Sequence, residues 1–166
     1  MMILCSNLEI YFNKPTDYLL ANRQSLMPDW DWKWEQQTPT LALILLQAQF
    51  PLLEISQTIQ AEKDRLLGKF IRLAQSIKLE SDRHDILTEI IFPVDGKPLF
   101  SSTGDRVFSL PALIQDILNF PLEKTDQGCQ VFIHPQWSYA VYPGLVLMNT
   151  SINKTEVVVK KILLSH

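Results

Sequence analysis

The sequence predicts an α+β protein, with mostly antiparallel sheet packed on one long central helix and two shorter helices. Three observations carry that reading. Residues 51–79 keep one helical rhythm. Apolar, strand-like runs recur on both sides of them, separated by turn residues. Hydrophobic residues make up 46% and charged residues 20% of the 166, a balance suited to a globular protein with a core.

The helix comes first. At one hundred degrees per residue from Pro51, the residues Leu52, Ile55, Ile59, Leu66, Phe70, Leu73 and Ile77 fall in a sector about 60° wide. Proline suits the first helical position, because its missing N–H would lack a partner there. A helix from Pro51 to Leu79 would span about 43 Å, with Gly68 as the expected point of any break. The opposite face carries Thr58, Arg65, Lys69, Arg72 and Ser76. Arg65, Lys69 and Arg72, at i, i+4 and i+7, form one cationic stripe. It reads either as a solvated helix back or as a patch for an acidic partner or a phosphate backbone.

From the N-terminus, Met2–Phe12 reads as a strand ended by Asn13-Lys14-Pro15. Thr16 or Asp17 caps a short helix with Tyr18, Leu19, Ala21 and Leu26 on its apolar side, closed by Pro28. In residues 29–35 tryptophans alternate with charged residues. A strand puts Trp30, Trp32 and Trp34 on one face and Asp31, Lys33 and Glu35 on the other. The indoles serve either as apolar cover for the long helix or as a face for a partner or for stacked bases. Thr40–Gln49 is a further strand, with Leu41–Leu46 buried on both faces. After the helix, Glu80–Asp85 is a charged connector. Asp82, His84 and Asp85 are close enough to suggest ligands or an acid–base pair, but such a loop cluster reads as solvated. Ile86–Phe92 is the next strand.

The order strand, helix, strand, strand, helix, strand over residues 1–92 resembles the ferredoxin-like βαββαβ arrangement. A resemblance of element order implies no particular function. RNA-recognition domains use that fold with aromatics on their inner strands and a glycine- and basic-rich context. Leu41–Gln47 has neither, so the resemblance does not extend to their motif.

Residues 93–166 read as a second lobe, a helix plus an antiparallel β-meander, the two lobes making one domain. Pro93–Pro98 is a turn signalled by Asp95-Gly96. Leu99-Phe100 and Val107-Phe108 flank a polar loop that lacks the spacing of a phosphate loop. Ser109 caps a helix running to about Asn119 that buries Leu113, Ile114, Ile117 and Leu118. Strands are expected at Cys129–His134, Trp137–Tyr142, Leu145–Asn149 and Glu156–Leu164, with Pro135-Gln136, Pro143-Gly144 and residues 150–154 as turns. Lysines on the last strand fit a charged sheet edge.

Composition narrows the function classes. A formal charge of −3 argues against a generic nucleic-acid coat but leaves room for a local basic patch. Cys5 and Cys129 are too few for a disulfide framework and have no metal-ligand spacing. They read as buried free thiols in a reducing, cytoplasmic compartment. Leu41–Leu46, the longest apolar run, is too short to span a bilayer. Met1–Phe12 lacks the basic start of a signal peptide. Asn149-Thr150-Ser151 and Asn153-Lys154-Thr155 read as turn chemistry rather than glycosylation sites. There is no G-x-S-x-G elbow, no zinc-spaced histidine pair and no nucleotide fingerprint. His134, beside Pro135 and Trp137, reads as a strand-end histidine. No catalytic residue, metal or cofactor is assigned.

The leading expectation is a non-catalytic accessory subunit or assembly factor. It would bind a protein partner within a larger cytosolic complex through Trp30, Trp32 and Trp34. Aromatic density supports this, with Trp137, Tyr139 and Tyr142 adding to the tryptophan row. The alternative is an RNA- or ribonucleoprotein-binding subunit, for example of a CRISPR-type effector complex, acting through Arg65, Lys69 and Arg72. A third reading is a small hydrolase or isomerase with a site assembled in space.

Overall fold

Residues 2–30, 39–104 and 108–165 are described by a computed structural model. At its centre lies β3 (Thr40–Gln47), whose apolar side chains are buried on both faces. Ala42, Ile44 and Leu46 enter one core, and Leu41, Leu43 and Leu45 the other. This is why the strand lacks the polar alternation of a half-exposed one. β2 (Leu8–Asn13) pairs along one side of it and β7 (Val141–Met148) along the other. β1 (Met2–Cys5) lies outside β2, and β4 (Thr88–Ile91) outside β7. The order is β1-β2-β3-β7-β4 and every pairing is antiparallel. Helices α2 (Gln57–Asp82) and α4 (Ile152–Leu164) cover one face. The other is covered by α1 (Asp17–Leu26), α3 (Leu110–Leu118) and the hairpin of β5 (Leu122–Lys124) and β6 (Gln130–Phe132).

The α+β class holds, and several elements differ in detail. The long helix starts at Gln57 rather than Pro51, because the Ser56 side chain accepts from the Ile59 N–H and caps it there. Leu52 lies outside the helix, and Ile55 is 83% exposed. The helix runs unbroken through Gly68 to Asp82. Residues 2–13 form a hairpin rather than one strand, turning at Ser6-Asn7 between Cys5 and Leu8. Thr16 and Ser109 cap α1 and α3 as the sequence suggests.

The described sheet does not have the ferredoxin-like arrangement. β2 and β3 run antiparallel, and the position between β3 and β4 is taken by β7, from the second half of the chain. Pro143-Gly144 is not a turn but the middle of β7. The register of β4 on β7 stops at Ile91 opposite Leu145, so the missing N–H of Pro143 breaks no ladder bond on that flank. Glu156–Leu164 is helix, not strand. Ser151 caps it by accepting from the Lys154 N–H, and Thr155, Val158 and Val159 are buried against the sheet. The three consecutive valines favour a strand locally, but their packing in the tertiary fold overrides that preference. Both cysteines are exposed, not buried, because the hairpin ends that carry them lie at the periphery of their sheets.

Candidate interaction surface

The two edges of the sheet are built differently. β4 is buried along its length, and the chain just after it folds back over its outer flank. Asp95 and Gly96 make the turn: the Lys97 N–H donates to Asp95 Oδ1, and Gly96 takes φ 67°. The Leu99 N–H then donates to the Ile90 carbonyl (2.9 Å) and the Phe92 N–H to the Lys97 carbonyl (2.7 Å). The Glu89 carboxylate, 1% exposed, anchors this strap. Its Oε1 accepts from the N–H groups of Ile90, Leu99 and Phe100 at 2.8, 3.0 and 3.1 Å, and its Oε2 from the Ser101 hydroxyl. Leu99 and Phe100 belong to this strap and not to a strand.

Among the described residues nothing folds over β1 in this way, and only β2 pairs with it. Its sequence, Met-Ile-Leu-Cys, has no charge and no proline. Met2 is 54% and Leu4 59% exposed. The register sets them opposite Tyr11 and Glu9, on the α1/α3 side, while Ile3 packs against the core under α2 and α4. An apolar edge with unpaired backbone groups is a template for another strand, and proteins usually blunt such edges with charge, proline or a covering segment.

On the α2/α4 side, the end of the β1–β2 hairpin opens into two adjoining clefts of about 400 and 460 Å³, which share Asn7 and Lys69. The first is otherwise lined by Gln47, Ala48, Gln49 and Arg65. The second adds Cys5, Leu8, Leu46, Arg72, Leu73 and Leu163. Among the described residues, no carboxylate and no aromatic ring lines either cleft. The cationic stripe thus faces a real groove, but its members differ. Arg65 grips the buried Glu62 with two nitrogens, and the Gln49 N–H donates to the same carboxylate. The Arg65 hydrogen bonds hold the Glu62 carboxyl below its usual range. Lys69 and Arg72 pair with no carboxylate among the described residues.

The tryptophan row is divided. Trp30 is buried beside Leu26 and Met27 in the core under α1 and α3, while Trp32 and Trp34, with the strand expected there, fall outside the described residues. His84 of the charged connector bonds Glu80 at 3.1 Å. Glu80 is buried and also takes Lys161 of α4 and Arg83, so the cluster ties α4 to α2. Lys161, chiefly, holds the Glu80 carboxyl below its usual range. Among the described residues no His, Cys, Asp and Glu group has metal-binding geometry, and no helix is long and apolar enough to cross a membrane.

One buried pair joins residues far apart in the chain. His134 Nδ1 accepts from the N–H groups of Gln136 and Trp137, both at 3.1 Å. The ring proton therefore sits on Nε2, which donates to Glu9 Oε2 at 2.8 Å. The Tyr11 hydroxyl donates to the same oxygen at 2.7 Å, and its pKa is pushed well up, by burial first and then by Glu9. Trp137 stacks on the imidazole with centroids 4.2 Å apart. Neither Glu9 nor His134 lines the clefts described here, nor the cleft of about 370 Å³ near Tyr139 and Pro143 where β7 outruns β4. With both ring nitrogens engaged, the imidazole acts as a clamp holding the 134–138 turn to β2. The sequence separation of 125 between its two ends hides it from sequence reading. No protein-family model matches the chain, and no curated protein matches it in sequence.

Proposed function

We propose that this chain is a non-catalytic accessory subunit that receives an extended segment of a partner protein along the open edge of β1. The observation that carries the reading is the contrast between the edges. One is strapped over by residues 97–101 and anchored by a buried carboxylate. The other is uncharged, with Met2 and Leu4 exposed. Strand addition would satisfy the free backbone groups and give the two side chains apolar contacts. Partner docking thus shifts from the tryptophan row to β1, since Trp30 is already part of the core. We infer a cytoplasmic setting, supported by two exposed thiols that form no disulfide.

The test is affinity purification from the source cells with wild-type protein and the M2K/L4K variant. Both side chains are exposed, so the variant is expected to keep its thermal unfolding profile. Proteins retained by the wild type and lost from the variant support docking at β1. An unchanged set of retained proteins overturns it.

A further inference from the structure

We infer that the segment received on β1 carries acidic side chains, held by Lys69 and Arg72 at the Cys5 end of the strand. This rests on the reading of β1 as a docking edge and adds the chemistry of the occupant. Cys5, the last residue of β1, lines the same cleft as Lys69 and Arg72. A strand laid along β1 sends alternate side chains to the α2/α4 side, where those nearest Cys5 meet the cleft.

The charge pattern selects the occupant. Of the three cations, Arg65 already has its counter-ion in Glu62. Among the described residues Lys69 and Arg72 have none and no carboxylate lines the cleft, although the chain as a whole is acidic. An external carboxylate is the missing counterpart. Leu8, Leu46, Leu73 and Leu163 form the rest of the wall with Asn7. Leucine walls with one amide suit a peptide that carries both apolar and acidic residues. A nucleic-acid strand fits less well. Among the described residues the groove has no ring on which a base stacks, and two cations neutralise too few phosphates for strong backbone binding.

The test pans a display library of random dodecapeptides on the wild type, on K69E/R72E and on M2K/L4K, with a labelled oligouridylate measured alongside. The expected result is enrichment of Asp and Glu among peptides kept by the wild type. A selected acidic peptide should bind K69E/R72E about tenfold or more weakly, with the difference shrinking at high salt. It should also be lost on M2K/L4K. Peptides that depend on Met2 and Leu4 but show no acidic enrichment overturn this inference and leave the β1 edge standing. Enrichment of no peptide at all overturns both. Tight oligouridylate binding that K69E/R72E abolishes reassigns the groove to RNA and overturns the peptide assignment.

Discussion

Phe70 of α2 lies directly over Gly144 of β7. A methyl group at position 144 would meet ring carbon Cε2 at 2.2 Å and Cδ2 at 2.3 Å. Phe70 is fully buried, so the ring cannot swing out into solvent without losing its core contacts. Glycine normally weakens a strand, yet here its missing side chain lets the long helix approach the sheet.

Gly144→Ala is therefore expected to destabilise the fold by about 2 kcal/mol, the usual range for an overpacked core. Chemical denaturation measures it. Pairing the change with Phe70→Leu should recover part of the loss. If Gly144→Ala alone is neutral, the close approach of helix and strand is not what selects glycine.

His134→Ala should cost about 3 kcal/mol, because it leaves the Glu9 carboxylate buried with Tyr11 as its remaining side-chain partner. Adding Glu9→Gln should return part of that stability, since the amide carries no charge to bury. A double-mutant cycle by urea unfolding measures the coupling. Additive losses would refute the clamp.

Glu89→Ala should release the strap over β4. Hydrogen exchange at the Leu99 and Phe100 amides, which donate to Glu89, is expected to rise well before global unfolding does. The newly bared β4 edge should also raise self-association at high concentration. Unchanged protection at both amides would show that the backbone bonds alone hold the strap.

Stability should fall at both ends of the pH scale, for different residues. Burial, with Asp64 adding to it, pushes the Tyr142 hydroxyl up from 10.0 to about 12. The folded state favours the neutral phenol, so this stabilisation is whole below pH 10 and lost as pH rises towards 12. Tyr142→Phe should flatten the alkaline limb of the thermal midpoint. Glu62 and Glu80 are shifted the other way, chiefly by Arg65 and Lys161. Their contribution is whole above the usual carboxylate range, near 4.5, and disappears as pH falls through their lowered values. Glu62→Gln should flatten the acid limb.

Features that depend on neighbours in the chain were legible from the residues alone. These were the α+β class, the doubly buried strand at 41–46, the capped helices after Thr16 and Ser109, and the apolar stripe of α2 from Ile59 to Ile77. Caps and periodicity are local, and a short window of residues contains them. The basic stripe was also legible as a pattern, since i, i+4 and i+7 share a helix face.

What those patterns face was left to the tertiary structure. It inserted β7 between β3 and β4, made a helix of residues 152–164 against their β-branched preference, and gave Arg65 a carboxylate partner that Lys69 and Arg72 lack among the described residues. It also strapped one edge of the sheet, while β1 keeps β2 as its one strand partner among the described residues. Each of these outcomes depends on contacts between residues far apart in the chain. Strand order, counter-ions and edge cover are set by which surfaces meet on folding, and no local window of sequence encodes that meeting.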